Sequence, residues 1–492
     1  MSALILLLSP AFAGDFVDIA VTTALEDDNL RAGPEVHSPS ANFVMRGNQT
    51  FFENYEGRYT DDISQGHLVL YKRSDGYLDG WWTEAAFVLQ YTPYLNPDES
   101  KRGVDVRDDG SYVRIVREIG EDDDHTVSLT GYAVDAGRFR LGYSYDLSYG
   151  GKEILTPAVG AMPGARIQWQ RGGNYVFAGA KSAINKRSEP DWQGTRNAAY
   201  HALLAGGGVT LFEKLRLEGG LGSFQQGQML NMRDASSELY GELIKALGTS
   251  GQVAFRTTND LDFIQSGELR LYRNSPDFER DSYISHDQLD GAGLLVQAEV
   301  DRLVHNLLDA DNEGATVNEV AWAGDVQARF VMHNTTLATD LVYKDLPYIL
   351  FNVPGFTSGT SIPSSLETTP QLYGRLSVSH FFEGPRLSPQ LGIGMMQPAT
   401  YKDPDSGRVY VQYSSRDKEQ TPDGKAYNIL SSVLGLQYDI SPSTIAVGEL
   451  LYTVDNNLSR SVVNADGDLE RVSEPANVRQ ALGFNIMLRA RF

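Results

Sequence analysis

The chain ends in the stretch QALGFNIMLRARF, residues 480–492. Counted back from the last residue, every second side chain of this stretch is apolar: Phe492, Ala490, Leu488, Ile486, Phe484 and Leu482. A period of two over this length is typical of a β-strand, whose successive side chains point to opposite faces, and not of a helix. A tilted strand of ~9–11 residues can cross a bilayer, and this alternation is what a membrane barrel requires of each strand.

The stretch resembles the closing strand of Gram-negative outer-membrane β-barrels. Phe484, Ile486, Leu488 and the terminal aromatic Phe492 are the residues that resemble that family, and Ala490 is smaller than usual. The resemblance implies that this strand pairs with the first strand to close the barrel. It also implies that these four residues form the signal read by the barrel-assembly machinery. A soluble edge strand at the end of the chain is the alternative, so the rest of the sequence has to decide.

Composition favours the barrel. The 492 residues include 48 Gly and 25 Tyr, no Cys, and a net charge of −22. No internal apolar run approaches ~18 residues, which excludes membrane-spanning helices and leaves a closed barrel as the way to satisfy the backbone in lipid. The strong acidity argues against nucleic-acid partners and against binding to anionic surfaces.

The amino-terminal region is predicted to be a secretory signal followed directly by a strand. Residues 1–13 contain an apolar core and end in Ala-x-Ala at 11–13, although a basic segment before the core is missing. The barrel is then predicted to span 14–492, with residues 16–23 as its first strand and as the partner of the last. Residues 26–66 show little alternation and are predicted to be an inward loop or plug, with an ordinary surface excursion as the alternative.

Period-two segments joined by short turns continue through the chain. The most regular is 138–149, in which Phe139 and Leu141 begin an apolar face predicted to contact lipid. Long polar stretches alternate with the short turns, as in bacterial barrels; they are 183–198, 276–290, 346–368 and 398–425. Residues 294–308 fit a helical or a strand spacing. The fold is predicted to be all-β, a single transmembrane antiparallel barrel of about 18 strands, within 16–22, with long external loops and short periplasmic turns.

Motifs for catalysis or metal binding are weak. The sequence contains no His-x-Ser pair of the kind that barrel phospholipases use, and Asp123–His125 matches only the spacing of a barrel protease. Asp309–Gly314 begins like a calcium loop but has Val320 where the bidentate Glu is required. Gly206–Gly208 lacks the Lys-Ser/Thr of a phosphate loop. We therefore predict no enzyme activity, no cofactor and no metal site.

Polar side chains opposite the apolar rows are predicted to line the lumen. They are Arg138, Arg140, Asp146, Arg216, Glu218, Asn485, Arg489 and Arg491. Such a mixed lining can form a transverse field that orients polar solutes. An internal salt-bridge network without a transport role is equally compatible with it.

These observations predict an outer-membrane channel, similar to porins, for passive passage of small hydrophilic solutes or a polar polymer such as a polysaccharide. Barrels of this strand number usually enclose an aqueous lumen. The expected partners are outer-membrane lipid, the assembly machinery and the solute. A docking or export barrel with a plugged lumen is the alternative, and an outer-membrane enzyme is a weaker one.

Overall fold

In the computed structural model of the chain, the described residues are 18–27, 29–31, 63–95, 102–120, 125–142, 144, 147–150, 161–188, 195–229, 239, 241–261, 263, 288–351, 359–413, 418–464 and 468–491. The signal peptide predicted at 1–13 and nearly all of the inward loop predicted at 26–66 lie outside them. Both therefore stay predictions.

Strands dominate the described residues. The first half of the chain contains β1 (Asp18–Asp27), β2 (Ile63–Asp75), β3 (Trp81–Leu95), β4 (Arg102–Asp108), β5 (Tyr112–Glu118), β6 (His125–Tyr132), β7 (Gly164–Arg171), β8 (Asn174–Ser188), β9 (Thr195–Leu211), β10 (Leu215–Gln228) and β11 (Leu243–Arg256). The second half contains β12 (Ala292–Leu308), β13 (Thr316–Met332), β14 (Thr335–Lys344), β15 (Glu367–Thr369), β16 (Gln371–His380), β17 (Leu387–Gln397), β18 (Ala399–Lys402), β19 (Val409–Gln412), β20 (Lys418–Gln420), β21 (Ile429–Ser441), β22 (Thr444–Val454), β23 (Ser459–Val463), β24 (Leu469–Ser473) and β25 (Gln480–Arg491).

In the described ranges two helices accompany the strands, α1 (Leu346–Leu350) and α2 (Ala476–Arg479). Among the described residues, no helix is long and apolar enough to cross a bilayer.

Eighteen of the strands form one closed ring with antiparallel pairing at every step. The ring order is β1–β2–β3–β5–β6–β7–β8–β9–β10–β11–β12–β13–β14–β16–β17–β21–β22–β25, and β25 returns to β1. β4 continues the wall beyond β5, because both pair with successive parts of β3. The last strand closes the ring as predicted, with Ile486 opposite Leu25. The predicted barrel of about 18 strands is confirmed.

The two ends of the barrel differ. At one end, here the turn end, most connections are short, such as 172–173, 212–214, 333–334 and 442–443. At the other, the loop end, lie the long connections, including 133–163, 345–370 and 398–428. Strands β15, β18, β19 and β20 form a small sheet in these loops, and β23 pairs with β24 there. From the asymmetry of bacterial barrels we expect the turn end to be periplasmic and the loop end to be external.

One long connection departs from this asymmetry. β11 ends at Arg256 at the turn end, and β12 begins there at Ala292. The long loop predicted at 276–290 lies outside the described residues except for 288–290, so it stays a prediction. In the described part of the connection 257–291, Leu261, Phe263 and Leu289 pack against inward side chains of the wall, including Leu295. The ambiguous residues 294–308 lie within strand β12.

The outer face of the ring is an apolar belt. Side chains on it are exposed and aliphatic at alternate positions of nearly every strand: Val113, Ile115, Ile167, Val176, Leu203, Leu217, Leu247, Val253, Val300, Val326, Leu341, Leu376, Leu391, Ile393, Leu430, Leu434, Leu450 and Ile486. Exposed aromatic residues border the belt, with Trp81, Trp169 and Tyr438 toward the turn end and Trp322, Tyr343 and Tyr452 toward the loop end. A soluble protein rarely exposes such a patch, whereas an apolar band between two aromatic girdles matches a bilayer.

The inner face combines polar and apolar side chains, and both are buried. His67 on β2, Arg166 on β7, Asp301 on β12, Tyr373 on β16 and Gln437 on β21 are each no more than 3% exposed. These strands are spread around the whole ring. The interior is therefore filled along much of its circumference, and is not a wide water-lined cylinder.

Candidate functional site

Residues 135–150 fold into the barrel from the loop end, and we call them the inward segment. They form a small hairpin in which Leu141 and Tyr149 pair through both backbone hydrogen bonds, of 2.9 and 2.8 Å. Gly142, at φ +90°, begins the reversal, and Ser148 N donates to Ser144 O at 3.0 Å. The continuous strand predicted at 138–149 is therefore wrong. Its alternation is real, but the reversal at Gly142 folds it back on itself.

A buried lysine of the wall holds the base of the inward segment. The ammonium of Lys181 on β8 donates to the carbonyl oxygens of Ala136 at 3.2 Å, of Phe139 at 2.5 Å and of Gly150. Lys181 is only 3% exposed. Because three carbonyl dipoles surround one charge, the segment is attached where its two arms meet the wall.

The tip of the segment is held on another part of the wall. The amide of Ser144 donates to Glu299 on β12, and its hydroxyl donates to Asp325 on β13. Tyr348 of α1 donates from its hydroxyl to the carbonyl of Leu147 and approaches Asp301 at 3.2 Å. Carboxylates that accept from a buried amide and hydroxyl give strong, directional hydrogen bonds.

The attachment points lie on nearly opposite sides of the ring. Arg138 of the segment pairs with Asp109, which lies between β4 and β5, at 3.3 Å. His67 Nε2 lies 2.9 Å from the same carboxylate. From β5 to β13 the ring runs through eight steps of eighteen, so contacts to Asp109 and Asp325 place the segment across the lumen. The inward segment therefore divides the interior of the barrel.

Glycines on the inner wall make room for the apolar side chains of the segment. A Cβ at Gly179 would lie 2.6 Å from the Phe139 ring, and one at Gly220 would lie 2.8 Å from Leu141. A Cβ at Gly248 would lie 2.4 Å from the ring of Tyr149. These glycines explain the glycine-rich inner faces of β8 to β11. Phe139, Leu141 and Tyr149, predicted to face lipid, are instead buried inside the barrel against this wall.

Opposite charges flank the segment. Basic side chains are on the β5 to β8 side: Arg114, Arg166 and Lys181 of the wall, with Arg138 of the segment. Glu299, Asp301 and Asp325, all buried, are on the β12 and β13 side. Arg114 is partly neutralised by Glu84 at 3.1 Å. Arg138 is paired with Asp109 in turn, so the basic side holds acidic partners as well. A field across the lumen stays a prediction.

Helix α1 braces the acidic wall. Asp345 caps it by accepting from Tyr348 N at 2.9 Å, and the same carboxylate accepts from Trp322 N at 2.8 Å. Burial raises the pKa of Asp345 to about 6, and the nearby Glu319 adds to that increase. A titrating carboxyl therefore lies at the base of the helix that positions Tyr348.

The predicted lumen residues fall into three separate places. Arg138 and Arg140 are buried in the inward segment, and Asp146 lies outside the described residues. Arg216 pairs with Glu218 on β10 at 2.7 Å. On β25, Asn485 donates to Glu449 at 3.1 Å, and Arg489 and Arg491 are partly buried. β10 and β25 are nine ring steps apart, so these residues do not form one cluster.

The predicted assembly signal lies on the closing strand. Ile486 and Leu488 are exposed on the outer face, Phe484 is half-buried, and Phe492 lies outside the described residues. A role in assembly stays a prediction.

Four anchoring residues were not singled out from the sequence: Lys181, Glu299, Asp325 and Tyr348. Period two could have identified the first three, because each is a charged residue at an inward position of a strand whose outer positions are apolar or small. Tyr348 belongs to a loop, and no local pattern relates it to Leu147, which is far away in sequence.

No metal site is found in the described part of the chain, where no three His, Cys, Asp or Glu side chains converge on a common point. In the calcium-like stretch, Asp309 accepts from the amide of Asp311, and Asp311 accepts from the amide of Ser364 at 2.7 Å. These carboxylates cap loop backbone.

No protein-family model matches the chain, and no curated protein matches it. Solved structures do. OccAB2 of Acinetobacter baumannii aligns with a TM-score of 0.48 at 9% identity, over 97% of each chain. OccK8 (OprE) of Pseudomonas aeruginosa aligns at 0.47 and 6%, over 97% of this chain and 98% of that one. OmpT, an outer membrane protein of Vibrio cholerae, aligns at 0.36 and 10%, over 98% and 99%. These alignments extend over nearly the whole of each chain, at low sequence identity.

Proposed function

We propose that the protein is an outer-membrane channel for passive passage of small hydrophilic solutes, without catalysis. The observation that supports this most is the inward segment, which is anchored on nearly opposite walls of a closed ring with an apolar outer face. A barrel closed in this way satisfies its backbone hydrogen bonds in lipid. A segment fixed across its lumen restricts passage by size.

The passage is narrow. Inward side chains as far apart on the ring as Arg166 and Gln437 are at most 1% exposed. Large polymers would need a wider path, so solutes of the size of a monosaccharide or an amino acid are the fitting class. Of the two predicted cargoes, small hydrophilic solutes are therefore favoured over a polar polymer.

Charge also selects solutes. The basic residues around Lys181 face the acidic residues Glu299, Asp301 and Asp325 across the segment. A solute with a strong dipole or with both charges can align between the two walls as it passes. A purely apolar solute has no charge or dipole that could interact with these walls, so the passage does not favour it.

A docking or export barrel with a plugged lumen is the second candidate. The burial of interior side chains around the ring favours it. It differs from the channel in one measurable respect, since a plugged barrel conducts no ions without its partner.

Planar-bilayer recording separates the two. Purified barrel, shown to be folded by its heat-modifiable mobility in gels, is added to the bilayer, and single-channel currents are recorded at symmetric salt. Steady ohmic openings, together with liposome swelling in small but not in large sugars, are the expected result. A folded barrel that inserts but stays silent would refute the channel and support the plugged barrel.

A further inference from the structure

The connection between β11 and β12 folds back into the mouth of the barrel at the turn end. Leu261 is completely buried, and Phe263 and Leu289 are no more than 9% exposed. They form one apolar cluster with Leu295 and Val331, which occupy inward positions of β12 and β13. We call the described residues of this connection, 257–261, 263 and 288–291, the turn-end cap.

A glycine of the wall makes room for the cap. A Cβ at Gly293 of β12 would lie 2.8 Å from the side chains of Thr258, Leu261 and Leu289. These three residues come from both arms of the connection, so the two arms meet over one inward position of the wall. The close approach of backbone and cap depends on glycine at this position.

Arg256, the last residue of β11, holds the cap in place. Its guanidinium donates to the carbonyl oxygens of Glu213 at 2.8 Å, Asn259 at 3.2 Å and Leu261 at 2.9 Å. It also lies 4.5 Å from the centre of the Phe263 ring, within the range at which a cation is attracted to an aromatic face. One charged side chain therefore contacts both the backbone of the cap and its aromatic residue.

The turn after β9 is strained at the point where the cap is attached. Phe212 and Glu213 have φ angles of 53° and 60°, which are unfavourable for residues with bulky side chains. The carbonyl of Glu213 accepts from Arg256, and its carboxylate accepts from Asn259 at 2.6 Å. Such a backbone conformation persists only where the surrounding structure fixes it. The coincidence of strain and attachment favours a functional role for the cap over an incidental loop.

The cap lies between the acidic wall and the turn end. Along β12 the inward positions run from Gly293 and Leu295 near the turn end to Glu299 and Asp301. At ~3.3 Å per residue, Glu299 lies about 13 Å farther along the strand than Leu295. A polar solute that leaves the acidic wall toward the turn end therefore meets an apolar cluster, and apolar constrictions oppose the passage of ions and water.

Movement of the cap does not require the ring to open. The two arms are attached near their ends, where Thr257 N donates to Leu294 O at 2.9 Å and His333 N donates to Gly291 O at 2.9 Å. The ring pairs β11 directly with β12, so displacement of the cap breaks none of the hydrogen bonds of that ladder. A connection of this kind opens locally at a lower free energy than the strands of the sheet do.

We propose that the turn-end cap is a gate in series with the inward segment. This rests on the proposed function, because a gate requires a passage. In the closed state Phe263 lies against Arg256 and against Arg216 of β10, whose guanidinium is 5.8 Å from the ring centre. In the open state the cap moves away from Gly293, and the acidic wall is continuous with the turn-end mouth.

The test records single-channel currents of the full chain in planar bilayers. Phe263→Ala removes the aromatic residue of the cap, and Arg256→Gln removes the cation that holds it. Phe212→Ala is the matched control, because Phe212 is an aromatic residue at the same end but is 89% exposed. A locked cap is made with Leu261→Cys and Gly293→Cys, whose side chains face each other in a chain without other cysteines.

Phe263→Ala should raise the ratio of open to closed cap at least about 100-fold, which corresponds to the usual effect of truncating a buried phenylalanine, and the openings should be larger or longer. Arg256→Gln should act in the same direction, and Phe212→Ala should behave like the wild type. Oxidation of the cysteine pair should lower the current, and reduction of the same barrels should restore it.

Wild-type currents in both Phe263→Ala and Arg256→Gln would overturn the gate. So would an oxidised cysteine pair that conducts as well as the reduced one, or an equal change in Phe212→Ala. A folded double-cysteine barrel that does not cross-link would also overturn it, because Leu261 would then not lie over Gly293.

The same recordings separate the gate from the channel. A conducting wild type whose current none of the cap variants changes overturns the gate alone. A silent wild type with a conducting Phe263→Ala contradicts passive passage and supports the gate. Silence of every folded barrel, including those with the cap released, contradicts both.

Discussion

Lys181 offers the sharpest perturbation of the inward segment. Replacing it by methionine keeps a side chain of similar length against Phe139, whose ring centre lies 5.9 Å from the ammonium, but removes the charge. The carbonyls of Ala136, Phe139 and Gly150 then lose their common donor. The contacts of Ser144 on the far wall stay intact.

The size of the effect follows from these contacts. A hydrogen bond to a charged group contributes about 1.5–3 kcal/mol, and breaking a buried charged contact by removing one partner costs about 3–5 kcal/mol. Because water can replace part of the lost hydrogen bonding, we expect Lys181→Met to destabilise the docked segment, relative to the undocked one, by about 3 kcal/mol. Since every 1.4 kcal/mol is tenfold, the undocked fraction should rise roughly 100-fold.

Two assays report the undocked fraction. Single-channel recording should show larger or more variable openings for Lys181→Met than for the wild type, because the segment no longer fixes the width of the passage. Trypsin added to proteoliposomes should cleave after Arg138 and Arg140, which are buried in the wild type. Lys214→Met is the control, since Lys214 lies exposed in a short turn far from the segment. Lys181→Arg keeps the charge and should restore part of the wild-type behaviour.

A Lys181→Met barrel that shows heat-modifiable folding, wild-type conductance and full protection from trypsin would refute this role. If Lys181→Met fails to fold, the Lys181→Arg variant still decides. Partial restoration means that its conductance differs from that of the wild type, whereas a folded Lys181→Arg barrel with wild-type conductance and full protection from trypsin would refute the role.

Three further expectations concern the same interior. Gly220→Val should push Leu141 from its place and widen the passage, whereas Gly251→Ala, on the outer face with no atom within 4 Å of the added Cβ, should conduct normally. Burial raises the pKa of Asp345 to about 6, so the folded state holds an extra proton between about pH 4 and about pH 6. Thermal stability should therefore fall as pH rises from about 4 to about 6 and level off above that, and Asp345→Asn should remove that step. Asp325→Asn should shift the reversal potential in a salt gradient toward anions; an unchanged potential would argue against a field at this wall.

The architecture could be read from the sequence because period two extends over most strands. The row that ends at Leu488 sets the outer face of β25, and its predicted pairing with the first strand is the closure that is observed. The strand number could be predicted from the same period-two pattern, because short turns separate the alternating segments and each segment can be counted as one strand.

The site could not be read in the same way. Residues 138–149 alternate as a spanning strand does, because their apolar set packs on one part of the wall while the polar residues Arg138 and Ser144 bind charged groups on other parts of it. Only Gly142, at φ +90°, marks the reversal. The contact between Tyr348 and Leu147 joins parts of the chain too distant for any periodic signal to relate them.

Single-channel conductance of the purified wild-type protein tests the central claim most directly. A narrow passage divided by the inward segment predicts small, steady, ohmic currents. Large sugars in the bath should leave these currents unblocked because they do not enter the passage, whereas small polar solutes should reduce them. A folded and inserted barrel without current, or one with the large conductance of an unobstructed lumen, would contradict it.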